Sequence, residues 1–98
     1  MRFLGKLYGT GTLASGDEKI GPAEYELDGY LRQPGAVVAS GELRMAPEKL
    51  AEALHRRGLR LLTTDGRALT LRITGKPMGD AVHIDIDEGL PPEREWRR

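Results

Sequence analysis

Two stretches, AEYELDGYLRQ and GAVVASGELRM, alternate apolar and polar residues with a period of two. A strand with one buried face satisfies that period and a helix does not. In the first stretch Ala23, Tyr25, Leu27, Gly29 and Leu31 share one face, and Glu24, Glu26, Asp28 and Arg32 share the other. In the second, Val37, Ala39, Gly41, Leu43 and Met45 form the apolar set. A three-residue connection, Gln33-Pro34-Gly35, pairs Leu31 with Val37, Gly29 with Ala39, Leu27 with Gly41 and Tyr25 with Leu43. Large residues then meet small ones across the inner face, as a tightly curved core requires.

The stretch LRLLTTDGRALTLRI reads as a second hairpin. A two-residue Asp-Gly turn would set Leu61 against Thr70 and mix the faces. A three-residue loop, Thr64-Asp65-Gly66, with Gly66 left-handed in a bulge, pairs Leu61 with Leu69 and Leu59 with Leu71 instead. A four-residue connection, KPMG, then pairs Ile73 with Val82, Leu71 with Ile84 and Leu69 with Ile86. The N-terminal RFLGKLYGTGTLAS reads as one long bent strand with Phe3, Leu7 and Leu13 inward, interleaved with Gly5, Gly9 and Gly11. APEKLAEALHRRG is the one helical segment, with Pro47 at its first position, Gly58 at its cap and a narrow Leu50/Leu54 stripe. The order β-β-β-α-β-β-β predicts a mainly β fold, a six-stranded antiparallel barrel or roll over 1–89 with the short helix capping its mouth. LPPEREWRR lacks periodicity, and residues 90–98 are expected to form a mobile tail.

Composition narrows the function classes. With 98 residues the chain makes one domain. Its 15 basic and 15 acidic residues sum to zero formal charge, so no net field draws it to nucleic acid or anionic lipid. The chain has no cysteine, which removes disulfides, thiol nucleophiles and cysteine-ligated zinc, and fits a cytoplasmic setting. No window approaches the roughly 20 apolar residues of a membrane helix, and the run in MRFLGKLYG is shorter than a signal segment needs. Eleven of the basic residues are arginine, consistent with a GC-rich bacterial coding sequence.

Five candidate sites follow. His83, Asp85 and Asp87 alternate in HIDIDEG, placing an imidazole and two carboxylates on one strand face, where a metal-dependent enzyme or metal-binding protein would hold its ion. Arg72 opposite His83, with Arg2 or Lys6 on the other flank if the barrel closes there, argues for a salt-bridged solvent face instead. Glu26 falls directly across from Glu42, a like-charge pair that implies another register, screening by Arg44, or two carboxylates kept for a proton or cation. YGTGTLASG carries glycines as phosphate loops do, but no helix follows it. Arg56, Arg57 and Arg60, with Arg94, Arg97 and Arg98, would form a basic patch on which Trp96 stacks a base. Tyr30, Ala36 and Val38 cluster on outer positions, a patch that either the helix or a partner must cover. Neither Ser15 nor Ser40 aligns with a histidine and an aspartate. The function expected is that of a noncatalytic interaction module without cofactor, joined to a protein partner or to itself as a homodimer through Tyr30, Ala36 and Val38.

Overall fold

The computed structural model describes residues 1–96. Six strands, β1 (Arg2–Ser15), β2 (Glu18–Arg32), β3 (Ala36–Arg44), β4 (Leu59–Thr63), β5 (Ala68–Ile73) and β6 (Ala81–Glu88), form an antiparallel barrel in the order β1-β2-β3-β6-β5-β4. One helix, α1 (Pro47–Ala53), joins β3 to β4. Among the described residues no helix is long and apolar enough to cross a membrane.

The first hairpin keeps the register that its alternation dictates, with Leu31 on Val37, Leu27 on Gly41 and Tyr25 on Leu43. Leu13, Leu27, Leu43, Leu61, Leu69 and Ile84 fill the interior without exposed surface. A methyl group at Gly11 would stand 2.5 Å from the Leu62 carbonyl oxygen, so the bare backbone there lets β1 press against β4. The β4–β5 hairpin also follows its apolar pattern. Leu61 pairs with Leu69, and Gly66, at φ 95°, occupies the left-handed position of the Thr64–Gly66 loop.

Four expectations are corrected. The β5–β6 register is displaced by two residues, with Ile73 on Ile84 and Leu71 on Ile86. Gly79, at φ 65°, permits a tighter turn at Gly79-Asp80, where the Ala81 amide donates to the Met78 carbonyl, so KPMG is not the connection. A two-residue shift preserves which face each side chain takes. In β1 a register break between Phe3 and Gly5 turns Phe3 outward and buries Leu4. That extra residue is a bulge, which reverses the alternation on one side of it. The helix ends at Ala53, so its buried pair is Leu50 and Ala53, while Leu54 is exposed. Finally, β6 lies between β3 and β5, and closure runs through β1 and β4.

The two ends of the barrel are closed differently. At one end Leu50 and Ala53 of α1 enter the core, Lys49 lies beside Gly21, and the Ser15 hydroxyl donates to the Arg57 carbonyl at 2.6 Å. At the other end residues 90–96 return across the opening. Pro91 is buried, Leu90 and Trp96 pack on the core, and a methyl group at Gly29 would overlap the Trp96 ring. The Trp96 indole donates to the Pro91 carbonyl at 3.0 Å, within a loop tightened by the 3-10 turn Glu93–Glu95. Packing against glycine, rather than any periodicity, places this segment.

Candidate interaction surface

His83, Asp85 and Asp87 share the outer face of β6, as alternation requires. Their neighbours come from β3 and β5. Glu42 lies beside His83 and Ser40 beside Asp85, while Asp85 faces Arg72 across β5. The Arg72 Nε donates to both carboxylate oxygens of Asp87, at 2.8 and 3.0 Å, and its guanidinium approaches Asp85 at 3.9 Å. The hydrogen bond and charge of Asp87 raise the guanidinium pKa above its ordinary value. Thr74 Oγ1 lies 2.6 Å from His83 Nδ1. Among the described residues no group of three His, Cys, Asp or Glu side chains is placed to hold a metal ion.

Glu26 and Glu42 do face each other in the β2–β3 register. Each has a cation beside it: Arg44 reaches Glu42 at 2.8 Å, and Lys6 reaches Glu26 at 3.8 Å. Lys6 also donates to Asp28 at 2.9 Å, and that hydrogen bond raises its pKa. The row is a screened solvent face, in which each exposed pair contributes about 0–1 kcal/mol.

The arginines expected to form one basic patch are dispersed. Arg56 pairs with Glu18 and with Glu52, and Arg60 donates to the Gly16 carbonyl, all at the helix-capped end. Trp96 sits at the opposite end with its ring on Gly29, away from Arg56 and Arg60. Arg97 and Arg98 lie outside the described residues.

Tyr30, Ala36 and Val38 are brought together on the outer side of β2 and β3, with Tyr30 directly across from Val38. The bulge in β1 adds a member that sequence reasoning placed inside. Phe3 pairs with Tyr30, is 42% exposed, and packs edge-on against it with ring centroids 5.4 Å apart. An apolar row, Phe3–Tyr30–Val38, thus crosses three strands, with the exposed Met1 at its margin. The signal for Phe3 was present in the sequence: the adjacent pair Phe3-Leu4 breaks the alternation, as a bulge does. The helix does not cover this row, because α1 is committed to the other end of the barrel. Searches for known proteins related to this chain find no family model, no curated protein and no solved structure that matches it.

Proposed function

We propose that this chain is an interaction module that acts through protein contact rather than catalysis, and that the Phe3–Tyr30–Val38 row with Ala36 is its interface. The observation that supports this reading is the row itself: aromatic and branched apolar side chains on three adjacent strands, with the helix committed to the other end of the barrel. Exposed apolar clusters of this kind favour partners, and tyrosine and phenylalanine are enriched in interface cores. A two-fold interface uses one patch twice, so a homodimer needs no second apolar surface. The zero formal charge opposes no such approach. The candidate metal residues offer less, since the Arg72 guanidinium already bonds Asp87 and lies 3.9 Å from Asp85.

Sedimentation velocity at high micromolar concentration tests the reading. The wild-type chain is expected to dimerise, and Val38→Glu to yield a folded monomer with unchanged β-sheet circular dichroism, because the charge would be buried in the interface without a partner. A monomeric wild type, or a Val38→Glu variant that still dimerises, refutes it.

A further inference from the structure

The edge of β1 is half empty. Its pairing with β4 covers only Gly11–Ser15, whereas its pairing with β2 runs the whole length from Arg2 to Ser15. The Thr64 amide donates to the Thr10 carbonyl at 2.9 Å, which fixes Thr10 as a residue whose backbone groups face the β4 side. The N–H and C=O of one strand residue point to the same edge, and successive residues alternate. The β1–β2 register is unbroken from Gly5 to Leu13. Lys6 and Tyr8 therefore also aim their amides and carbonyls away from β2. Among the described residues no other strand lies there, and neither backbone nor side chains bond to these groups outside the β1–β2 ladder.

The space beside this edge is shaped. A slot of about 590 Å³ runs along Gly5–Tyr8 and is lined as well by Arg67, Pro91, Glu95 and Trp96. Along β1 the slot residues are followed by Thr10, bonded to Thr64, and preceded by Arg2, paired with Glu93. Its walls are mainly apolar, with Phe3, Leu7 and Trp96 prominent.

We propose that this slot binds a single extended peptide segment of a partner protein, which adds a strand to β1. The exposed backbone chemistry of β1 selects the occupant. Two free donors and two free acceptors at strand spacing are complementary to another main chain and to nothing more specific. A second copy of this barrel would bring its β2 along with its β1, whereas a slot of about 590 Å³ has the size of one short extended segment. A lone strand has no such encumbrance. Its residues opposite Lys6 and Tyr8 exchange both hydrogen bonds and point outward. Its residues opposite Gly5, Leu7 and Gly9 point inward, where Leu7 and Trp96 take apolar side chains, while the Tyr25 ring already fills the space over Gly9. The recognised segment is thus about five residues long and alternates apolar with polar side chains. This surface is separate from the outer row assigned above, although Phe3 borders both.

A blocked peptide, acetyl-Lys-Val-Thr-Val-Thr-Val-Lys-amide, is a suitable probe, and Trp96, the sole tryptophan, is a built-in reporter. Titration is expected to change Trp96 fluorescence saturably below millimolar peptide. Methylating the two threonine amides, which face β1, should abolish the change, while methylating valine amides, which face away, should leave it. Tyr8→Pro removes an amide hydrogen that bonds nothing within the chain and should weaken binding at least tenfold in a protein that still folds. Val38→Glu should bind the peptide as the wild type does, which separates this site from the outer-row interface. The proposal is overturned if fluorescence does not respond up to millimolar peptide, or if the N-methyl-threonine peptide binds equally well. It is also overturned if Tyr8→Pro dissociates a dimer of the wild-type chain, since the edge would then be occupied by a second copy.

Discussion

Two outer surfaces of this barrel meet where β3 adjoins β6, and they have opposite character. On β1, β2 and β3 the row Phe3–Tyr30–Val38 presents apolar side chains that the helix does not cover, Phe3 exposed and Tyr30 and Val38 half-buried. On β5 and β6, Arg72, Asp85 and Asp87 present charges that satisfy one another. Both surfaces follow from the same period-two geometry, which sends every second side chain out of the barrel. The difference lies in the neighbours. A row of metal-ligating residue types becomes a surface ion-pair network when a cation stands on the adjacent strand, and an ordinary apolar row becomes a candidate interface when no element covers it. Residue type along one strand is therefore less informative than what the flanking strands bring beside it.

The bulge in β1 carries the apolar side of that contrast, and reversing the roles of two adjacent residues tests it with the largest effect. Leu4 is buried, so Leu4→Ala is expected to cost about 2–5 kcal/mol in denaturant unfolding, as deleting a buried leucine side chain does. Phe3→Ala should cost far less stability and should instead weaken self-association in sedimentation. The reverse ranking would return Phe3 to the core and remove it from the proposed interface.

How much of this was legible in the sequence depended on the distance over which the information acts. The β2–β3 hairpin was readable pair by pair, because alternation and a short connection fix its register locally. The Glu26–Glu42 opposition followed from the same register, and so did Tyr30 beside Val38. The β5–β6 pairing was displaced because Gly79-Asp80 makes a tighter turn than KPMG, a competition between two turn sequences that the apolar pattern cannot decide when a two-residue shift keeps every face. The flanks of β6 and the seat of Trp96 depend on which strands meet after the helical crossover. Trp96 docks on Gly29, 67 positions earlier in the chain, and no periodicity in LPPEREWRR announces it. The open edge of β1 was hidden for the same reason: it exists because β4 is short and β1 is long, a mismatch between strands that are not consecutive.

An intermediate effect is expected at the loop that sets the face of Arg72. Gly66 is left-handed and open to solvent, so Gly66→Ala adds a β-carbon at positive φ without any clash. The expected loss is about 1 kcal/mol in chemical denaturation, the usual cost of forcing a side chain into that region. Unchanged stability would show that the loop tolerates another conformation, and the alternation that turns Arg72 toward Asp87 would lose its anchor.

The smallest effect is expected on the charged side, and it is the sharpest test of that half of the comparison. Arg72 is exposed, its ion pairs with Asp85 and Asp87 lie at the surface, and such pairs are screened by water and salt. Arg72→Ala should therefore change stability by no more than about 1 kcal/mol. If Arg72 merely neutralises a solvated carboxylate row, its removal creates no site. Thermal melting of the wild type and of Arg72→Ala should then be unmoved by EDTA and by added zinc or manganese, because only a ligand that binds the native state selectively raises the midpoint. A metal-induced rise in the wild type would make His83, Asp85 and Asp87 a site despite the guanidinium beside them. A rise confined to Arg72→Ala would show that the arginine suppresses metal binding there, and the two surfaces would then differ by a single side chain rather than by the strands around them.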